Sequence, residues 1–429
     1  MIVRIDGGRL WDAESGQLRE TSVAFDDVTG EIVALGQGLR AEKVIELRGE
    51  AVFPGFIDMH VHLRDPGLTA KESLETGVQA AAAGGFTQVA CMPNTKPPID
   101  SPKLVADLVE RAKVIGKTEV HPIACITQGQ AGDELADYEA LRAAGAVGFS
   151  DDGRGVQHGG RMREAFLRLK ELGAPAIIHA EDETISGKGV VHPNAARRLG
   201  LLGIPIEAEA AMIARDVLLA EQTGAHLHVC HVSTEPSVAV IRWAKARGIR
   251  VTAEVTPHHL LLSETAIKRD DANWKVNPPL QSERDREACL EGFLDGTLDI
   301  IATDHAPHTP AEKAQSMATA PFGMVGLETA FALLYTYLVL PGTVPLTRII
   351  EGMTSRPARL FGLAGGSIRP GARADFAIVD LQAERTIDGD SFYTKGRNTP
   401  FLDWRIAGVI KSTIRAGQVI YEAGEERLS

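Results

Sequence analysis

The chain has 429 residues, of which 44% are hydrophobic and 24% charged, the balance of an ordinary globular protein. Its 45 Lys and Arg face 57 Asp and Glu, a formal net charge of −12 that argues against nucleic acid as a partner. No run reaches the roughly 18 apolar residues of a membrane span, and the opening MIVRIDGGRLWD lacks the apolar centre of a secretion signal, so no membrane association is expected.

In chain order, residues 1–49 hold short β-forming pieces separated by turns: MIVRIDGGRLWD, SVAFDD, GEIVALG and KVIELRG. The texture then becomes a strand–helix alternation. Eight apolar strand candidates follow: VFPGFIDMHVH (52–62), GGFTQVACMPN (84–94), TEVHPIACIT (118–127), GAVGFSDD (145–152), APAIIHAED (174–182), AHLHVCHVS (225–233), IRVTAEVTPHH (249–259) and DIIATDHAPH (299–308). Helical stretches such as 104–116, 163–173, 207–224 and 237–248 separate many of them, with apolar residues three and four apart. Eight strands with intervening helices predict an α/β fold of the (β/α)8 TIM-like barrel type over residues 54–365. The last sixty or so residues return to β texture in ADFAIVDLQ and GVIKSTIRAGQVIYEAG, so residues 1–53 and 366–429 are expected to pair as a small β-sandwich domain. Four widely spaced cysteines, Cys91, Cys125, Cys230 and Cys289, without a CxxC pair, read as free thiols of a cytoplasmic protein.

Polar residues crowd the C-terminal ends of these strands, where barrel enzymes keep their chemistry. Alternation places His60 and His62 on one side of their strand, so both imidazoles can face one ion. His179 and His231 end two further strands, and Asp152 and Asp304 two more. Four His and two Asp suit zinc or a similar divalent ion, and six ligands exceed what one tetrahedral catalytic site takes, so two metals are expected. The other histidines read as supporting residues. His226 would lie roughly 16 Å below the mouth at about 3.3 Å per residue. It and His228 are placed in the core or against a helix, and His121 at a strand start. His158 and His192 are expected to be solvated loop residues, while His258 and His259 should support the site without ligating.

Together, FPGFIDMHVHLRDPG, MPNT, GFSDDG, HAED, HVST, KVNPPL and IATDHAPH resemble class I dihydroorotase of the amidohydrolase superfamily, and PFGMVGLETA and SRPARLFGL extend the likeness beyond the metal residues. HxH and TDHAP are shared with hydantoinases and allantoinases, but those relatives carry a Lys on the fourth strand where this chain has Ser150, Asp151 and Asp152. The resemblance implies two Zn2+ bridged by Asp152 and hydroxide, one held by His60, His62 and Asp304 and the other by His179 and His231. Asp151, facing the opposite way, does not bridge. It further implies a reversible hydrolysis of dihydroorotate to N-carbamoyl-L-aspartate in pyrimidine biosynthesis, with Asp304 as general acid and base. Arg64 and Asn94 would take the ring carboxylate; Asn277, His308 and the backbone at Phe322 and Gly323 would hold the rest of the ring, alongside His62. A homodimer, or an assembly with aspartate transcarbamoylase, is implied as well. Residues 309–321, polar and rich in small side chains, are expected to form a mobile lid. Two other readings compete: a hydantoinase or allantoinase, and a non-catalytic scaffold that has lost metal ligands.

Overall fold

A computed structural model describes residues 1–424, so residues 425–429 of the expected terminal β domain lie outside the described residues. Eight parallel strands form one sheet in sequential order from Phe56–Val61 to Ile300–Ile301. The sheet closes on itself where Val61 bridges His305 in parallel and the His62 amide donates to the His305 carbonyl at 2.8 Å. The expected (β/α)8 architecture is thus present. Its strands are short and almost wholly buried, because helices cover the outer face and side chains such as Ile57, Met59, Ile123 and Ile177 fill the inside. Pro102–Ile115 shows how the outer layer forms. Pro102 opens it after Ser101, Gly116 ends it in the left-handed region at φ 71°, and Val105, Leu108 and Ala112 place one stripe against the sheet.

The chain ends build two further sheets. One has four strands, with Ile2–Asp6 between Val23–Asp26 and Lys43–Glu46 and with Glu31–Leu35 outermost beside Val23–Asp26. The other has six, and Phe376–Thr386 and Ala51–Pro54 lie at its middle, with Arg405–Arg415 on the far side of Phe376–Thr386. Val3, Ile5, Phe25, Phe376 and Ile414 pack between them. The run expected as a single first barrel strand divides. Ala51–Pro54 pairs antiparallel with Phe376–Thr386 in the terminal sheet, and the barrel strand begins at Phe56. The break falls at Gly55, where a Cβ would stand 2.4 Å from the Thr87 side chain, so only glycine lets the backbone pass there. Apolar residues continue across the break, which is why hydrophobicity alone does not reveal it. Phe53 and Phe56, one in each sheet, both meet Phe331, with ring centroids 5.7 and 5.2 Å apart, and so tie the terminal sheet to the barrel.

Candidate metal centre

The strand Phe56–Val61 delivers His60 and His62 to the barrel mouth with Val61 turned into the apolar layer. Each remaining candidate ligand lies just beyond its strand. Asp152 follows Gly148–Phe149, His179 follows Ala176–Ile178, His231 follows Leu227–Val229 and Asp304 follows Ile300–Ile301. Strand alternation does not aim the last two. His231 sits at φ 33° and Asp304 at φ 48°, and Arg64 at φ 58°. Non-glycine residues avoid this region, so three of the six among the described residues falling at one site marks a backbone held there by its surroundings.

All six side chains converge. His62 Nε2 is 2.9 Å from Asp304 Oδ1, and His60 Nε2 is 3.5 Å from both Asp304 Oδ1 and Asp152 Oδ1. His179 Nδ1 is 3.0 Å from His231 Nε2, and these atoms stand 3.8 and 4.0 Å from Asp152 Oδ1. Asp152 is therefore central, reached from both sides. His60 Nε2 and Asp152 Oδ1 are buried without any hydrogen-bond partner, an arrangement that costs free energy unless something else satisfies them. Two groups, His60, His62 and Asp304, and His60, Asp152 and His231, bring one donor atom each within 4.8 Å of the others. This mixed nitrogen and oxygen set fits a divalent cation. Burial alone would raise the Asp152 carboxyl, but the imidazoles of His60, His62, His179 and His231 hold it below its ordinary value. Asp304 is likewise held low, against burial, by His60 and His62. A third group, His60, Cys230 and Glu254, lies behind the His60 ring, and burial pushes the Cys230 thiol well above its usual range.

Beside the cluster opens a cavity of about 160 Å3. That is below the roughly 300–1,000 Å3 of drug-sized sites and suits a small polar ring. Arg64, Asn94, Asn277, His308, Phe322 and Gly323 all line it, together with His62. Several already have partners. Asn94 Oδ1 accepts from His62 Nδ1 at 2.9 Å and its Nδ2 donates to Asp152 Oδ2 at 3.0 Å, so its amide orients two candidate ligands. Asn277 Nδ2 donates to Glu181 Oε2 at 2.6 Å. His308 Nε2 donates to the Phe322 carbonyl at 2.7 Å, and Arg64 Nε reaches the Pro307 carbonyl at 3.3 Å. Burial, then Arg64 and Lys71, lower His308 to about 2, leaving a neutral ring.

Asp151 faces away, accepting from the amides of Ile126 and Thr127. His259 supports the Asn277 turn through the Pro278 carbonyl at 3.1 Å. His121 bonds Gln88 of the preceding strand, Phe86–Cys91, at 3.0 Å. His158 is exposed as expected and His192 is not, and neither lacks a structural partner. Their Nδ1 atoms cap helices by accepting from the amides of Arg161 and Asn194, each at 3.2 Å, and His192 is buried. Residues 309–321 include a short helix, Pro310–Lys313, and are pinned from beneath. Lys275 Nζ donates to the carbonyls of Met317 and Ala320, each at 2.6 Å, and Lys313 Nζ to those of Ala272 and Pro321. Neither lysine was legible as part of the site. Glu254 was also missed, although an acid inside the apolar run VTAEV was a usable signal.

Residues 49–237 match a Dihydro-orotase-like family model and residues 272–421 an amidohydrolase family model. A Geobacillus sp. (strain WCH70) protein named dihydroorotase is 49% identical over 99% of this chain and 100% of its own. The chain belongs to the dihydroorotase family. A Bacillus caldolyticus dihydroorotase is 51% identical over 96% of this chain and 97% of its own. The structure of an L-hydantoinase from Arthrobacter aurescens superposes with TM-score 0.87 at 27% identity, covering 99% and 97% of the two chains. Membership of the dihydroorotase family makes this chain a metal-dependent cyclic amidohydrolase, and its fold is that of amidohydrolase barrels. Among the described residues no helix is long and apolar enough to cross a membrane, and all four cysteines are free and buried.

Proposed function

We propose that this dihydroorotase-family protein opens the ring of (S)-dihydroorotate to N-carbamoyl-L-aspartate and closes it in reverse. The observation that carries the reading is Asp152 standing between two histidine pairs, with Arg64 at the rim of the adjoining cavity. His60, His62 and Asp304 would hold one zinc, His179 and His231 a second, and Asp152 would be shared. Bound there, the ions supply Lewis acidity for the carbonyl and make water acidic near neutral pH.

The chain's own groups do the rest. The Arg64 guanidinium forks onto the ring carboxylate, a task suited to its planar donors. Asn277, His308 and the backbone at Phe322 and Gly323 hold the ring edge. Asp304, kept ionised, takes a proton from the attacking water and returns it to the ring nitrogen as the amide C–N bond breaks. The nitrogen leaves as the ureido NH2, and the new carboxyl group sheds its proton to solvent to become a carboxylate; ring closure takes that proton up and runs the same transfers backwards. Steady-state kinetics with dihydroorotate, hydantoin and allantoin test the assignment. Dihydroorotate should be turned over most efficiently, and a preference for either uncharged ring overturns it.

A further inference from the structure

Behind the metal-facing side of His60, a line of side chains runs down the barrel interior. His60 Nδ1 lies 2.6 Å from Glu254 Oε1, and Glu254 Oε2 lies 3.1 Å from His228 Nε2. His228 Nδ1 and His226 Nε2 each lie 2.9 Å from Thr252 Oγ1. Sheet register builds this line by setting His228 directly beside Thr252. Glu254 Oε1 also accepts from the His231 amide at 3.2 Å, so one carboxylate touches the back of one candidate ligand and the backbone of another.

With Glu254 ionised and each imidazole neutral, as a metal ligand must be, donor counting assigns every proton in the line. A carboxylate only accepts, so His60 bears its proton on Nδ1 and His228 on Nε2. His228 Nδ1 is then an acceptor and takes the Thr252 hydroxyl proton. The Thr252 oxygen in turn accepts from His226 Nε2–H. Each donor thus points toward Glu254, and the only ring nitrogen of His60 left with a free lone pair is Nε2, the atom that lacks a partner.

We infer that Glu254 is the positioning residue of the metal centre, fixing the His60 tautomer and ring direction while bracing the positive-φ backbone of His231. A neutral amide at this position can still accept from His60 but withdraws the charge that makes His60 a stronger donor to a metal. The inference rests on the metal reading of the site and not on the identity of the substrate.

The test is Co2+ binding to the full-length apoprotein, followed by competition with a chromophoric chelator and by the visible spectrum of the bound ion, in parent, Glu254→Gln and Thr252→Val. Glu254→Gln should bind the ion at His60 about 10–100-fold more weakly, with altered visible bands. Thr252→Val, which cuts the line one residue further back, should stay within about threefold, because it leaves the Glu254 contacts to both ligands in place. A loss of less than about tenfold in Glu254→Gln, or an equal loss in Thr252→Val, overturns the inference. If Glu254→Gln does not fold, Glu254→Asp, which draws the carboxylate back by one methylene, is judged on the same threshold. Failure of the parent to bind Co2+ sinks the metal reading itself, whereas tight binding by parent and Glu254→Gln alike sinks only the role of Glu254.

Discussion

Replacing Asp304 by Asn separates charge from shape at the centre of the proposed chemistry. The amide oxygen can stand where Oδ1 now stands, 2.9 Å from His62 Nε2, so packing is conserved. What disappears is a group that can take up a proton and release it. General acid–base transfer contributes about 10²–10⁴ in rate, which at 1.36 kcal/mol per tenfold is about 3–5 kcal/mol of barrier. Arg64, Asn277 and His308 line the cavity independently of that proton, so KM should remain within about threefold while kcat falls. Asp304 is also a proposed ligand, so rates are to be measured at saturating metal and divided by bound ion determined by elemental analysis. A catalyst cannot move an equilibrium, so kcat/KM for ring opening and ring closure must fall by the same factor. Turnover within about tenfold of the parent at full metal content refutes the acid–base role.

Arg64→Ala should remove a charge-assisted pair worth about 1.5–3 kcal/mol, seen as a roughly 10–150-fold loss in kcat/KM for dihydroorotate. Residual activity on uncharged hydantoin should hardly change, and equal losses on both contradict the assignment. Lys275→Met removes two charge-assisted bonds to residues 317 and 320, about 3 kcal/mol in all. Amide exchange in residues 309–321 should accelerate, by up to about a hundredfold, and unchanged exchange rejects the pinning role. Glu328 accepts from the amides of Tyr393 and Thr394, and burial raises it to about 7. The folded value lies above the ordinary 4.5, so its stabilising contribution is complete below 4.5 and is lost as pH rises to about 7. That step is worth about 3 kcal/mol at 1.36 kcal/mol per pH unit. Glu328→Gln should flatten the fall of Tm between about pH 4.5 and 7, and an unaltered slope counts against it.

The eight barrel strands and the six convergent side chains were legible because each ends an apolar run in a polar residue, and that pattern depends only on chain-local order. The division at Gly55 was not, because Val52, Phe53, Phe56 and Ile57 are equally apolar and only the partner sheets distinguish them. Alternation explains His60 and His62 but not His231 and Asp304, whose direction comes from backbone turned to positive φ. Lys275 and Lys313 act through hydrogen bonds to residues distant in sequence, which no spacing rule anticipates, whereas Glu254 leaves a trace as an acid inside an apolar run. The capping roles of His158 and His192 were hidden because histidine is not a residue type usually sought before a helix.

The barrel closes where Val61 meets His305, and the candidate ligands His60, His62 and Asp304 stand on either side of that seam, with His62 and Asp304 242 positions apart in the chain. An ion held there would be a staple across the joint between the first and eighth strands. It has no purchase on a nascent chain until the eighth strand has emerged and docked. By mass action, an ion at a hundred times its dissociation constant adds about 2.7 kcal/mol to the closed barrel and nothing to one still open along that line. On the proposed ligand set, metal supply and closure of the barrel form one equilibrium, and chelation should loosen this joint.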